Sequence, residues 1–96
     1  MKIKPEINER REFKRFPVNE QGFLISQDRD GEVFPVRIHD ISVRGIGFTA
    51  NRFFTNNQKF TIQYSILNHE FNIPIKIAWT LSTHDGISIG CRKIPT

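Results

Sequence analysis

The sequence predicts an all-β domain, a small antiparallel barrel of six to seven strands preceded by a flexible basic N-terminal arm. From Gly22 onward, apolar residues recur with a period of two, which is typical of half-buried strands. Turn-forming clusters separate these stretches at short intervals, as in small closed barrels. The first 16 residues show no apolar period of either kind. We therefore expect the arm at residues 1–18 and the barrel at residues 19–96.

Length and composition indicate one globular domain. A chain of 96 residues has room for a single core, and nine phenylalanines, one tryptophan and many isoleucines can fill it. A charged content of 25% is typical of a globular chain. No apolar run reaches the roughly 20 residues needed to cross a bilayer, and Met1 leads into charged residues. We therefore expect a cytoplasmic protein.

The first predicted element is a hairpin. Residues 23–26 form a short strand, and the Asp-Arg-Asp-Gly cluster at residues 28–31 forms a turn. The second strand alternates, with Phe34, Val36 and Ile38 on one face and Arg37 and His39 on the other.

The middle of the chain predicts two more strands. A turn at residues 40–45 leads to a third strand at residues 46–49. A polar connector at residues 51–58 carries Phe53 and Phe54. The fourth strand alternates, with Phe60, Ile62, Tyr64 and Ile66 on one side and Thr61, Gln63 and Ser65 on the other.

The longest alternating run lies near the C-terminus. It places one set of apolar side chains on a single face, namely Phe71, Ile73, Ile75, Ile77, Trp79 and Leu81. Its length predicts a bent strand that serves two parts of the barrel, with Pro74 at an edge or bulge. A turn at residues 84–86 then leads to a last strand with Ile87, Ile89 and Cys91 on one face.

Positive charge is concentrated in the arm. Residues 1–15 hold six basic and three acidic side chains, a net charge of +3, whereas residues 16–96 hold eight and seven, a net charge of +1. Proteins that bind long nucleic acids usually spread basic residues along a whole face. The concentration here favours a compact anionic ligand.

Two short motifs carry the groups that such a ligand needs. The arm offers guanidinium groups, which bind phosphates and the O6/N7 edge of guanine in bidentate fashion. The later turn offers a carboxylate, a hydroxyl and a glycine. These candidate site residues are Arg10, Arg11 and Arg15 in the arm and Asp40, Ser42 and Gly45 in the turn. Together they suggest a nucleotide-binding clamp.

Arg-x-x-x-Arg at residues 11–15, followed by Asp-x-Ser-x-x-Gly at residues 40–45 on a β-barrel pattern, resembles the PilZ domain family. The resemblance covers most of the chain and includes Trp79 in a late strand. It implies a receptor or effector module for cyclic di-GMP in bacterial second-messenger signalling. It also implies a downstream protein partner of unknown identity, and no cofactor beside the ligand.

The resemblance assigns a role to each motif residue. Arg11 and Arg15 reach the bases and phosphates of cyclic di-GMP from the arm. Asp40 accepts from the N1/N2 edge of guanine or orients an arginine. Ser42 donates to a phosphate or supports the turn, and Gly45 lets the backbone come close to the ligand.

Three further arginines bear on the same site. Arg10 adds a guanidinium that suits a stacked pair of ligand molecules better than one. Arg44 stands where family members often carry a small residue, so that it either adds a contact or crowds the site. Arg92, on the last strand, is a further contact candidate.

Other interpretations stay open. Taken alone, Arg11 and Arg15 can form surface pairs with nearby glutamates, and the turn motif can simply shape a hairpin. A small barrel that binds nucleic acid could use the basic arm and exposed aromatic residues such as Phe53. A protein-interaction adaptor without a ligand is the other alternative.

Catalytic and metal sites are not predicted. No nucleophile–base pair, paired carboxylates or metal-ligand set occurs at an interpretable spacing, so we expect no enzyme. Cys91 is the only cysteine, and the three histidines are scattered. The chain stops at Thr96, where many family members continue into a helix, so we expect a partner chain or the connector aromatics to cover the exposed apolar end of the barrel.

Overall fold

The computed structural model describes residues 14–27 and 31–95 of the chain, and these residues form six strands and no helix. The strands are β1 (Phe16–Ser26), β2 (Val33–Ile41), β3 (Gly45–Ala50), β4 (Lys59–Ile66), β5 (His69–Thr83) and β6 (Gly86–Lys93). They close into an antiparallel barrel in the order β1-β2-β3-β6-β5-β4. The predicted all-β barrel is therefore confirmed, with six strands.

One core fills the barrel, and every strand contributes to it. The largest fully buried side chains are Leu24, Ile38, Ile46, Phe48, Phe60, Ile62, Ile75, Ile77 and Ile89. Complete burial of one such side chain is worth about 1.5–3 kcal/mol. A one-residue slip would turn a whole strand's apolar set outward, so the period of two fixes the register of the strands.

The connector between β3 and β4 closes one end of the barrel. Phe54 is 9% exposed, and its ring meets those of Phe34 and Phe60 edge to face, at centroid distances of 5.3 and 5.1 Å. Phe53 points away and is 59% exposed. Phe54 therefore covers the core at this end of the barrel.

Strand β1 begins earlier than the sequence predicts. Phe16 is the partner of Ile41 and Pro17 that of Asp40, so β1 starts at Phe16 instead of residue 23. The register shifts between Pro17 and Glu20, and this irregularity breaks the period of two on which the prediction depended. The division into arm and barrel stays a prediction, because residues 1–13 lie outside the described part of the chain.

Strand β5 corrects a second prediction. Ile77 is the partner of Cys91, but Trp79 is the partner of Gly90, so Ala78 is an extra residue at a bulge. The bulge reverses the alternation, and Trp79 and Leu81 lie on the outer face with exposures of 49% and 59%. Placing these two side chains on the same face as Ile77 was wrong.

Candidate anion-binding groove

A row of four outward positions crosses one side of the barrel. Asp40 on β2 is the partner of Gly47 on β3, Gly47 is the partner of Gly90 on β6, and Gly90 is the partner of Trp79 on β5. The two central positions carry no side chain. Bare backbone therefore forms a floor between a carboxylate and an indole, which we call the glycine floor.

The two flanking side chains lean over this floor. A Cβ atom at Gly47 would lie 3.0 Å from Oδ2 of Asp40, and one at Gly90 would lie 2.3 Å from Nε1 of Trp79. Real Cβ atoms do not approach other atoms as closely as the second distance. Glycine at residue 90 therefore lets the indole lie directly against β6.

Arg15 lies at the Asp40 end of the row. Its Nη1 donates to Oδ1 of Asp40 at 2.7 Å, in the only ion pair among residues 14–27 and 31–95. Pairing of Pro17 with Asp40 brings the chain past this carboxylate. The side chains are 46% and 34% exposed, so the pair stabilises the fold by no more than about 1 kcal/mol. Its main effect is to hold a guanidinium at the edge of the groove.

Ser42 and Gly45 form the turn between β2 and β3. The backbone N–H of Gly45 donates to Oγ of Ser42 at 3.1 Å, and the N–H of Ser42 donates to the carbonyl of Gly45 at 2.9 Å. Ser42 is 7% exposed. Of the two roles predicted for its hydroxyl, the described contacts are those of turn support. A Cβ at Gly45 would lie 2.5 Å from the carbonyl oxygen of Cys91, which explains the glycine.

Only part of the predicted site can be placed. Arg15 and Asp40 are brought together, and Ser42 and Gly45 close the adjoining turn. Arg10 and Arg11 lie outside the described residues. The sequence predicted that the whole Asp-x-Ser-x-x-Gly motif forms a turn, but its first residue, Asp40, belongs to strand β2.

The groove above the glycine floor is open and has a volume of about 1110 Å³. Ligand pockets in proteins usually measure about 300–1,000 Å³, so a ligand larger than a mononucleotide has room here. Sequence reasoning missed Gly47 and Trp79 as groove residues. The sequence did contain a signal, because Gly47 and Gly90 are glycines at outward positions of two strands. Only the pairing of β3 with β6, however, brings these two glycines side by side.

The groove is basic. Among the described residues that line it, Asp40 is the only acid, and the basic side chains are Arg15, Arg44, Lys76, Arg92 and Lys93. Partial burial lowers the pKa of Lys93 from its ordinary value. A concave surface with this balance of charge attracts anions.

Cys91 lies beneath the groove with its thiol buried. Its thiol is 6% exposed and donates to the carbonyl of Ile46 at 3.3 Å. Burial raises the pKa of Cys91 to about 12, so the thiol stays protonated at neutral pH, whereas the thiolate is the nucleophile and metal ligand.

The described residues form neither a metal cluster nor a membrane-spanning helix. In residues 14–27 and 31–95, no three His, Cys, Asp or Glu side chains come together in a way that could hold a metal ion. The same residues contain no helix with the length and apolar character of a membrane span.

The fold and the groove together define a small β-barrel domain with a basic groove on its outer surface. The family model described as "PilZ domain" matches residues 9–95, and the chain belongs to this family. The match includes both motifs from which the resemblance was inferred, and it confirms that resemblance. No curated protein matches the chain.

Solved structures of low sequence identity share this fold. The PilZ domain of YcgR from Escherichia coli, solved with cyclic di-GMP, is 12% identical with a TM-score of 0.67, over 88% of this chain and 78% of that one. The complex of MrkH from K. pneumonia with cyclic di-GMP is 15% identical with a TM-score of 0.66. That match covers 88% of this chain but 44% of MrkH, so this chain spans less than half of that protein.

Proposed function

We propose that this domain is a non-catalytic receptor for cyclic di-GMP, which binds in the groove between the N-terminal arginines and the turn at residues 40–45. The observation that carries the proposal is the Arg15–Asp40 pair at the edge of a basic groove of about 1110 Å³. Family membership supports it, and both similar structures are complexes with this ligand.

The chemistry of the Arg15–Asp40 pair fits the ligand. Cyclic di-GMP presents phosphates and the O6/N7 edges of guanine, both of which a guanidinium binds in bidentate fashion. Asp40 holds Arg15 through Oδ1, and both of its carboxylate oxygens lie over Gly47, Oδ2 being the one without a described hydrogen bond to Arg15. This second oxygen can accept from the N1/N2 edge of a guanine. One carboxylate thus orients the arginine and reads the base.

The opposite end of the floor offers a second guanine site. The indole of Trp79 is 49% exposed and lies against Gly90, so one face is open to solvent. Aromatic side chains in such positions stack on nucleic-acid bases. Arg92 and Lys76 line the same groove and supply cations for the phosphates. Neither Trp79 nor Lys76 was predicted as a site residue.

The remaining motif residues have distinct roles in this proposal. Arg10 and Arg11 bind the ligand from the arm, and Arg10 favours a stacked pair of ligand molecules. Ser42 acts through the turn, because its hydroxyl bonds Gly45 and so keeps β2 and β3 in register beside Asp40. Arm residues that close on the ligand change the surface offered to a partner protein.

Calorimetric titration with cyclic di-GMP tests the proposal. We expect Arg15→Ala and Asp40→Ala to weaken binding about tenfold to a hundredfold, since each removes a hydrogen bond to a charged group. Arg37→Ala is the matched control, because Arg37 is an exposed β2 arginine that does not line the groove. It should bind like the wild type. Absence of binding heat from the wild type would overturn the proposal.

The same titration tests the role of Arg10. We expect two ligand molecules per protomer for the wild type and one for Arg10→Ala. A wild-type stoichiometry of one would contradict the stacked pair and leave the receptor function standing.

A further inference from the structure

Three cations lie directly opposite one another beside the glycine floor. Lys59 on β4 is the partner of Lys76 on β5, and Lys76 is the partner of Arg92 on β6. Neighbouring strands are about 4.8 Å apart, so the three side chains start within roughly 10 Å. We call these three residues the basic row.

This arrangement is unfavourable for the isolated domain. Like charges at directly opposite positions of an antiparallel pair destabilise it. The only ion pair in the described part of the chain is Arg15–Asp40, so no described acid pairs with a member of the basic row. An arrangement that opposes stability without local compensation is expected where a surface serves a function.

A built cleft adjoins the row. Asn57 has a left-handed backbone conformation, with φ of 72°. Its N–H donates to the carbonyl of Ile77 at 2.7 Å. In return, the N–H of Ile77 donates to the carbonyl of Gln58 at 2.9 Å. These two bonds fasten the connector to β5. They leave a cleft of about 240 Å³ that Asn57, Lys76 and Arg92 help to line.

The cleft fits an oxyanion. An amide, an ammonium and a guanidinium can all donate to a carboxylate, and the last two also neutralise its charge. One water molecule takes about 30 Å³ in the liquid, so the cleft holds a carboxylate with part of its side chain.

We propose that the basic row and this cleft bind an acidic segment of a partner protein, and that cyclic di-GMP in the groove competes with that segment. The competition rests on the proposed function, whereas the docking does not. Carboxylates on successive turns of a helix lie about 5–6 Å apart, which suits cations on strands about 4.8 Å apart.

The row is less suited to nucleic acid. Single-stranded nucleic acids are bound along longer basic grooves that combine phosphate contacts with stacked aromatic side chains. The basic row holds only three cations. On one side of it the outward positions are Thr61 and Pro74, and on the other side the aromatic ring of Trp79 lies in the groove that we assign to cyclic di-GMP. An acidic protein segment is therefore the better match.

Competition follows from shared side chains. Lys76 and Arg92 line both the groove and the cleft, whereas Lys59 lies outside the groove. Cyclic di-GMP brings two negative charges to these shared cations and lowers the positive potential available to the partner. Because coupling between two ligands is reciprocal, the acidic partner must weaken ligand binding by the same factor.

A fluorescein-labelled decaglutamate peptide serves as the probe, in anisotropy titrations at about 50 mM salt, where charges are weakly screened. We expect Lys59→Gln and Lys76→Gln each to weaken peptide binding about twofold to fivefold, as for single exposed charge pairs. Arg37→Gln removes the same charge outside the row and should bind like the wild type. Equal affinities for all four proteins would overturn the docking site.

Two further measurements decide competition and partner class. Saturating cyclic di-GMP should release the peptide; retention by protein that calorimetry shows to be liganded would overturn the competition. If calorimetry finds no ligand binding, the proposed function and the competition fail together, while Lys59→Gln still decides the docking.

Tighter binding of a labelled decathymidylate, with the same dependence on Lys59 and Lys76, would make the row a nucleic-acid site and overturn the acidic-segment proposal.

Discussion

Gly90 and Trp79 show how one missing side chain can shape the groove that we propose as the ligand site. The indole occupies the space that a Cβ at residue 90 would need. A methyl group there would push the ring away from β6 and into the groove. The need for glycine at residue 90 is local, because the added methyl group would displace only the ring of Trp79 and no side chain of the barrel core.

Gly90→Ala should therefore weaken cyclic di-GMP binding several-fold and destabilise the domain by about 1 kcal/mol, because the added methyl group must displace an indole that is half exposed. Trp79 is the only tryptophan, so its fluorescence reports on the ring alone. We expect a shifted emission maximum, measured beside urea denaturation. Ser82→Ala, at an exposed position of β5 that does not line the groove, is the control. An unchanged emission spectrum would contradict the geometry of the floor.

Burial of Cys91 predicts an alkaline loss of stability. The folded state holds the thiol proton up to a pKa of about 12, whereas the unfolded chain releases it near the ordinary value of 9.0. The unfolded state thus binds fewer protons above that value, and the stabilisation present at lower pH is lost as the pH rises toward the folded pKa. The slope is about 1 kcal/mol per pH unit.

Urea denaturation of the wild type and Cys91→Ala between about pH 9 and pH 11 measures this effect. The difference between the two free energies of unfolding should shrink with increasing pH, because only the wild type carries the thiol. A constant difference would show that the thiol does not titrate differently in the two states. Tyr64, whose pKa burial also raises, is present in both proteins.

At the scale of elements, the β4–β5 turn is short and strained. Leu67 and Asn68, the two residues between the strands, have φ of 52° and 68°. Two-residue hairpins with both φ values positive favour Asn-Gly, and a leucine pays about 1–2 kcal/mol for this conformation. Leu67 is also 87% exposed, so it gains little from packing.

Leu67→Asn should stabilise the domain by about 1 kcal/mol, measured by urea denaturation. Leu81→Asn is the matched control, since Leu81 is an exposed leucine within β5, where strand geometry prevails. It should not stabilise. Equal effects of both substitutions would attribute any gain to lost surface hydrophobicity instead of the turn.

The sequence predicted the inward-facing residues of β4 correctly but not all of those of β5. Every inward residue of β4 was predicted, because its pairing with β1 and β5 is continuous. Trp79 was misplaced, since the bulge at Ala78 depends on the partner strand β6. A period of two describes a strand only while its neighbours keep the same register.

For the molecule as a whole, the sequence predicted the residues of the two motifs but not the glycine floor. Arg15 and Asp40 were selected together from a family pattern, and the barrel brings them into contact. Gly47 and Gly90 meet only through the pairing of β3 with β6, two strands with β4 and β5 between them in the chain. Such long-range register is a property of the closed barrel and leaves no local trace in the sequence.

The pairing of Phe16 with Ile41 and the bond from the Lys93 N–H to the Arg44 carbonyl have a consequence for domain architecture. Both place a boundary of the barrel beside the turn at residues 42–44, so the chain enters and leaves at the same end. A domain fused at either boundary would be tethered within reach of the groove. If the groove binds cyclic di-GMP as proposed, a domain fused at either boundary lies at the ligand end of the barrel, and no signal has to cross the barrel to reach it.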